Sequence, residues 1–232
     1  MQASEKKTAP GAQTLARGLG ALSAVAQAPD GMSIGELADL LDVHRTIAYR
    51  ILTTLAESGF IARGTDGRYR GSSGLISLAS GAFGALRATA LPVLQGLANQ
   101  LRTTVTLFVR EGTYATALAV VESPMQNFRM SFGAGWRHPL DRGAAGHAIS
   151  SLEAPSPSDS DAVREARRQG YSLTFSEVEP NLYGLAVPIR YGPDAACCIN
   201  LVSNREDVME ASLPVVVAAA DRIVADLNAT AV

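Results

Sequence analysis

The chain has 232 residues, of which 47% are hydrophobic and 18% are charged, and its formal net charge is −2. This balance is typical of a folded globular protein and excludes a largely disordered chain. No apolar run reaches the length of a membrane span, and no signal-peptide core follows the first lysines, so we expect a cytoplasmic protein without a membrane partner.

The first predicted element is a helix over residues 14–26. Leu15, Leu19, Leu22 and Val25 recur there at helical spacing, and we expect them on its buried side. That helix would complete the core of a small helical domain. At this chain length, two modest domains are the expected layout.

A capping box marks the start of the next helix. Glu36 stands three residues after Ser33, so the hydroxyl and the carboxylate can each satisfy a backbone N–H of the other residue. After a short connection a second helix is predicted over residues 44–58, and Gly59 stops it. The predicted buried residues of this second helix are Ile47, Ala48, Ile51, Leu52 and Leu55.

The opposite face of the second helix is polar and basic in its first two turns. Such a face, after a tight connection between two helices, is typical of a helix that reads DNA. A basic hairpin follows, with strands predicted at residues 60–63 and 68–70 around the turn residues 64–67. This is the plan of a winged helix-turn-helix. The polar face consists of His44, Arg45, Thr46, Tyr49 and Arg50.

Local charge favours double-stranded DNA as the partner. Residues 45–70 contain five arginines and two carboxylates, hence a local charge of +3 in a chain of net −2. Phosphate groups respond to this local charge rather than to the net charge. The alternative is a helical hairpin with surface arginines that never contacts DNA, as occurs in many small domains.

From residue 75 onward the pattern predicts a linker helix and then a sheet domain. The linker helix covers residues 75–86 and is rich in small side chains. Further helices are predicted at residues 91–101, 144–151, 161–169 and 206–227, and strands at residues 105–110, 114–121, 128–132, 171–175, 184–189 and 195–202. We therefore predict an α+β protein with a winged helix-turn-helix domain at residues 1–74, a linker at residues 75–90 and a second domain at residues 91–232.

Two other interpretations remain open from the residues alone. His147 and Ser151 are four apart, so a helix can bring hydroxyl and imidazole together, with Asp141 orienting the ring as in a hydrolase. No nucleophile elbow accompanies them, so we predict that the chain is not an enzyme. The neighbouring Cys197 and Cys198 provide neither a disulfide framework nor a zinc-ligand pattern, but they suggest a thiol-based redox sensor.

Taken together, these residues resemble the IclR family of bacterial transcriptional regulators, from about Thr14 to Asn228. The resemblance rests on an ordered series of short motifs. In the first half they are Leu15-Ala16-Arg17-Gly18-Leu19, Glu36-Leu37-Ala38, Arg45-Thr46, Tyr49-Arg50-Ile51-Leu52 and Gly67-Arg68-Tyr69; in the second half they are Glu122-Ser123-Pro124, Pro139-Leu140, Gly146-His147-Ala148, Arg168-Gln169-Gly170-Tyr171 and Ala186-Val187-Pro188-Ile189.

The resemblance implies an N-terminal winged helix-turn-helix and a C-terminal GAF-like domain that binds a small organic effector, needs no cofactor and supports homodimers or dimers of dimers. DNA contacts are expected from the polar face, from Arg17, and from Arg63 and Arg68 of the wing. Family pocket positions fall on Met130, Ala144, Ala145, Thr174, Gly184 and Asn200, with Asn127, Phe132 and Asp141 as neighbours. Ordinary core packing is the alternative for the apolar members, whereas the amide of Asn200 needs a backbone or ligand partner.

The chain also departs from the family pattern at three places. Asp141-Arg142-Gly143 follows Pro139-Leu140, where the family commonly has a His-Ala-Thr-like run. Asn181 stands where glycine is frequent, and asparagine can adopt the left-handed backbone that such a turn needs. Ile47 replaces a frequent hydroxyl residue of the recognition helix, so the operator sequence cannot be transferred from relatives. Because of the different run after Pro139-Leu140, the effector cannot be transferred either.

Overall fold

The computed structural model describes residues 12–80, 83–125, 132–191 and 195–230. The chain divides into two compact units, Met1–Gly84 and Ala85–Val232, which we call the N-terminal unit and the C-terminal unit. The first is helical with a short hairpin, and the second is built on an antiparallel sheet. The predicted α+β class, with a helix-turn-helix first, is therefore confirmed.

Three helices and a hairpin form most of the N-terminal unit. The capping box forms as predicted, because Ser33 Oγ accepts from the Glu36 N–H at 3.2 Å while Glu36 Oε2 accepts from the Ser33 N–H at 2.8 Å. The elements are α1 (Gln13–Gln27), α2 (Ile34–Leu40), α3 (Arg45–Glu57), β1 (Ile61–Arg63) and β2 (Tyr69–Gly71). Their shared core contains Ala21, Val25, Leu37, Ala38, Ala48, Leu52, Ile61 and Tyr69.

Part of the predicted core of this unit is wrong. Leu15 and Leu19 of α1 are 63% and 58% exposed, and Ile47 of α3 is 41% exposed. The fully buried residues of α1 are Ala21 and Val25. With 3.6 residues in a turn, the two leucines lie about a third of a turn away from that buried direction, so of the predicted set only Val25 is fully buried.

The predicted linker helix over residues 75–86 is also wrong, because the chain forms two helices there. Helix α4 spans Ser73–Ser80 and α5 spans Gly84–Leu101. Phe83, immediately before α5, has a φ of 53°, a left-handed conformation that a continuous helix does not contain. Among the described residues, no single helix is long and apolar enough to cross a membrane.

A six-stranded antiparallel sheet with the order β5-β4-β3-β8-β7-β6 organises the C-terminal unit. Its strands are β3 (Thr104–Glu111), β4 (Tyr114–Val121), β5 (Arg137–Pro139), β6 (Ser172–Phe175), β7 (Tyr183–Tyr191) and β8 (Ala195–Ser203), and its later helices are α6 (Gly143–Ser151), α7 (Asp161–Gln169) and α8 (Glu206–Thr230). The sequence missed β5. Of the strand predicted at residues 128–132, only Phe132 is described, and it lies in no strand.

Helix α6 packs closely on the sheet and positions the main pocket of this unit. It contacts β6, β7 and β8, and its small residues Ala144, Ala145 and Ala148 are buried against them. Gly146 allows the chain before α6 to approach, because a Cβ there would lie 2.6 Å from the Leu140 carbonyl oxygen. The first turn of α6 therefore packs against the chain at Leu140 on one side and against β6 on another.

Candidate functional site

The polar face of α3 is exposed at the start of the helix. His44 is the N-cap residue, and its Nδ1 accepts from the Thr46 N–H at 3.3 Å, so it shapes the helix start. Thr46 and Arg50, four apart, lie opposite the fully buried Ala48 and Leu52. This face therefore points away from the core of the N-terminal unit and is open to a partner.

Three arginines of this unit have guanidinium groups without internal partners. Arg17, Arg45 and Arg50 make no side-chain hydrogen bond or ion pair with any residue in the described part of the chain. Arg17 and Arg50 line the same apolar groove between α1 and α3, together with Leu15, Leu19 and Ile47. Unpaired arginines on an exposed surface are available to bind phosphate or base edges.

The arginines of the hairpin are arranged differently. Arg68 donates to Glu36 at 2.7 Å and to the Gly31 carbonyl at 3.0 Å. Arg70 pairs with Asp66 at 2.7 Å, and Arg63 donates to the Gly67 carbonyl at 3.3 Å. These contacts fix the hairpin to itself and to the start of α2, so Arg68 in particular has a positioning role.

The Arg68 ion pair favours the charged form of its partner. Hydrogen bonds from Arg68, followed by that from the Ser33 N–H, lower the pKa of Glu36 to about 2. Both groups lie at the surface, so the pair is open to solvent and to screening by salt.

The C-terminal unit contains a pocket with an aromatic wall beside the first turn of α6. Phe132 and Trp136 stack with their ring centroids 4.3 Å apart, and Phe108 meets Trp136 edge-on at 6.2 Å. His138 completes the wall, and its Nδ1 lies 2.8 Å from the Pro139 carbonyl oxygen. Burial lowers the pKa of His138, so its ring is neutral at neutral pH. The cavity enclosed is small, about 50 Å³.

The first turn of α6 is already hydrogen-bonded to side chains from across the pocket. Glu177 Oε2 accepts from the Gly143 N–H at 2.7 Å and lies 2.8 Å from His147 Nε2. Thr174 Oγ1 accepts from the Ala144 N–H at 3.1 Å. A carboxylate at this helix start meets free backbone N–H groups and the positive end of the helix dipole.

Most residues predicted to bind an effector line this pocket. Asp141 does not, because its side chain is exposed and pairs with Arg142. Asn127 and Met130 lie outside the described residues. The residues missed by the sequence include Trp136 and His138, beside and within the short strand β5, and Glu177 in the connection after β6. The predicted residues that line the pocket are Phe132, Ala144, Ala145, Thr174, Gly184 and Asn200.

The contacts needed by the hydrolase interpretation do not form. Ser151 Oγ donates to the Ala148 carbonyl at 2.7 Å, whereas the His147 ring pairs with Glu177. Asp141 bonds Arg142 rather than the histidine. A hydroxyl that bonds its own helix backbone, as serine in helices often does, has no general base here.

The cysteines of β8 are free thiols in the core. Cys197 and Cys198 are both fully buried. Burial raises the pKa of Cys197 to about 12 and that of Cys198 well above its usual value. Thiolates are the reactive form, so this environment opposes a redox role. Among the described residues, no group of three or more His, Cys, Asp or Glu side chains is placed to hold a metal ion.

Comparison with known sequences finds a family match in the N-terminal unit and a longer match to one relative. The family model for the IclR helix-turn-helix domain matches residues 14–64. The HTH-type transcriptional regulator KipR of Bacillus subtilis (strain 168) is 31% identical over 125 residues, which cover 52% of this chain and 49% of KipR. The match thus spans about half the length of this relative.

Comparison with solved structures extends the similarity to the whole fold. The IclR protein of Thermotoga maritima has a TM-score of 0.70 at 23% identity, over 94% of this chain and 99% of that one. An IclR homologue of Microbacterium hydrocarbonoxydans, solved in complex with 4-hydroxybenzoate, has a TM-score of 0.76 at 21% identity, over 93% of this chain and 99% of that one. The resemblance to the IclR family is therefore confirmed as a similarity: residues 14–64 match the IclR helix-turn-helix domain, and the chain shares its fold over nearly its whole length with these solved IclR proteins.

Proposed function

We propose that the protein is a transcriptional regulator that binds double-stranded DNA through α3 and responds to a small organic effector in the pocket beside α6. One observation supports the proposal of DNA binding. The stretch that matches the IclR helix-turn-helix model, residues 14–64, includes the three arginines of the described N-terminal unit whose guanidinium groups lack internal partners. Cations left unpaired on an exposed recognition helix are what a polyanionic duplex binds.

The geometry of α3 suggests a division of labour on the duplex. Thr46 and Arg50 stand at the centre of the exposed face and contact base edges, while Arg45 and Tyr49 lie on its flank and contact phosphates or adjacent bases. Arg17 of α1 and Arg63 of the hairpin reach the sugar-phosphate backbone. Arg68 keeps the hairpin in position, and His44 holds the helix start.

The effector acts by binding one arrangement of the protein more tightly than another, because equal affinity for both would shift nothing. The bound 4-hydroxybenzoate of the Microbacterium homologue supports an organic ligand in this fold. A homodimer, or a dimer of dimers, presents two α3 helices to two half-sites. The exposed Leu15 and Leu19 of α1 offer apolar surface for such an association. A cytoplasmic location stays a prediction.

A mobility-shift assay with the DNA upstream of the protein's own gene tests the proposal. The full chain should shift this DNA in a salt-dependent manner, and Arg50→Ala should reduce discrimination against scrambled DNA by about 1–3 kcal/mol if it binds guanine. Arg45→Ala should weaken binding to both DNAs alike if it contacts phosphate. Unchanged affinity of both variants for both DNAs would refute the assignment of α3.

A matched control is available in the C-terminal unit. Arg164 of α7 is exposed and pairs only with its own helix and the residues just before it. Arg164→Ala removes the same charge without touching α3, so it should leave the shift and its salt dependence unchanged. A loss equal to that of Arg50→Ala would mean that net charge, rather than the polar face, drives binding.

A further inference from the structure

The charge of the effector pocket is unusual for a site that would hold an organic acid. Two carboxylates, Glu177 and Glu179, line it, and its described lining residues include no lysine or arginine. His138 supplies no compensating positive charge, because burial lowers its pKa. An anionic ligand entering this cavity would meet like charges in a partly desolvated space.

The donors at the start of α6 that could hold a ligand carboxylate are already occupied. The Gly143 N–H and the His147 ring both bind Glu177 Oε2, at 2.7 Å and 2.8 Å. The next backbone donor, the Ala144 N–H, binds Thr174 Oγ1 at 3.1 Å. Glu177 therefore stands where an incoming carboxylate would need to be, and it brings its own negative charge to the start of α6.

The described part of the pocket has open acceptors, one on Glu177 and one on the Asn200 amide, whose NH2 group also remains open. The second carboxylate oxygen of Glu177, Oε1, receives no hydrogen bond from a described residue. The side chain of Asn200 is only 5% exposed and lines the cavity, yet its amide makes no hydrogen bond within the described part of the chain. The polar atoms of this amide face the cavity and are available to a polar ligand atom.

The aromatic wall of the pocket also favours a positively charged ligand. Trp136 and Phe132 form a stacked pair, and Phe108 lies edge-on to Trp136 within the same pocket. The faces of aromatic rings carry partial negative charge and attract ammonium groups, with tryptophan the strongest. Acceptors on one side and ring faces on the other define a binding site for a cation with a short apolar body.

We propose that the effector of this protein is a small protonated amine, whose ammonium donates to Glu177 Oε1 and Asn200 Oδ1 and lies against the Trp136 and Phe132 rings. This inference rests on the regulator function proposed above and names the ligand class of its pocket. The cavity of about 50 Å³ limits the ligand to a few heavy atoms. Carboxylates of equal size are excluded by Glu177.

The single tryptophan of the chain, Trp136, reports directly on this pocket. The full chain without DNA is titrated at neutral pH with propylammonium, propanol and propionate while its fluorescence is followed. Propylammonium should change the fluorescence saturably, propanol should bind more weakly, and propionate should leave it unchanged. Equal or tighter binding of propionate overturns the proposal, and so does the absence of saturable propylammonium binding.

Charge-neutral variants assign the effect to the residues named. Glu177→Gln keeps an acceptor for the Gly143 N–H but removes the charge, so propylammonium should bind at least about tenfold more weakly, the loss expected for one charge-assisted contact. Asn200→Leu should also weaken the binding of propylammonium. Asp141→Asn removes the same charge from an exposed residue that does not line the pocket, so it should leave the affinity unchanged. Far-ultraviolet circular dichroism verifies that each variant is folded.

DNA binding separates failure of this inference from failure of the proposed function. If the chain shifts its upstream DNA and propylammonium has no effect on Trp136, the regulator stands and the amine class is wrong. If propylammonium binds but the chain shifts no DNA, the ligand class stands and the regulator is wrong. Propylammonium binding that weakens as much in Asp141→Asn as in Glu177→Gln would also contradict the site. Any negative charge near α6 would then explain the binding, without a direct contact to Glu177.

Discussion

Arg68 in the hairpin and Glu36 in the first turn of α2 form an ion pair with a nitrogen–oxygen distance of 2.7 Å. The same carboxylate accepts from the Ser33 N–H and so completes the capping box of α2. One side chain thus holds both the start of a helix and the hairpin that follows α3. Together with the backbone hydrogen bonds between Met32 and Tyr69, this surface contact links the hairpin to the start of α2.

The Glu36 contact should make stability depend on pH in a defined window. Because its folded pKa is lowered from 4.5 to about 2, its contribution is complete above pH 4.5 and is lost as the pH falls toward 2. The wild type should therefore lose more stability than Glu36→Gln between these values, as urea unfolding followed by circular dichroism would measure. Parallel stability curves for the two proteins would show that the carboxylate has no such role.

Arg68 and Arg50 should differ in how they affect DNA binding. Arg50→Gln should reduce the discrimination between the upstream DNA and scrambled DNA, because Arg50 is assigned to base edges, while leaving the unfolding temperature unchanged. Arg68→Gln should lower the unfolding temperature and weaken DNA binding together, because it releases the hairpin from Gly31 and Glu36. Titrations with the upstream and the scrambled DNA, together with melting curves, test this. Weakened DNA binding by Arg68→Gln at an unchanged melting temperature would mean that Arg68 contacts DNA directly.

The two thiols should be inert in the folded protein. Cys197 and Cys198 are fully buried, and burial raises the pKa of Cys197 to about 12, so almost no thiolate exists at neutral pH. Reaction with a disulfide reagent should therefore be limited by unfolding and become rapid in urea. A Cys197→Ser and Cys198→Ser double variant supplies the baseline. Fast labelling of the native wild type would revive the redox interpretation.

The boundaries of the helix-turn-helix could be predicted because neighbouring residues decide them. Ser33 and Glu36 complete a capping box within four positions, and Gly59 takes the left-handed φ of 77° that ends α3. The buried side of α1 could not be predicted in the same way. Leu15 and Val25 are both apolar, and only the packing of α3 decides which of them is covered.

The pocket was harder to predict, since distant segments meet there. Thr174 and Asn200 could be named from the resemblance, and both line the cavity. Glu177 could not, because its partner His147 is 30 residues away and nothing in the local sequence marks the pair. Trp136 precedes a three-residue strand that carries no alternating pattern long enough to recognise.

The close approach at Gly146 gives a prediction with an internal control. In Gly146→Ala the new methyl group would lie 2.6 Å from the Leu140 carbonyl oxygen, and since that obstacle is backbone, the variant should lose about 1–3 kcal/mol of unfolding free energy. Gly96 lies inside α5, and a methyl group added there would meet nothing within 4 Å, so Gly96→Ala should gain about 0.5–1 kcal/mol instead. Urea unfolding measures both changes. An equal gain of unfolding free energy in both variants would show that α6 can move away from Leu140. The close packing of α6 against the chain before it would then be wrong.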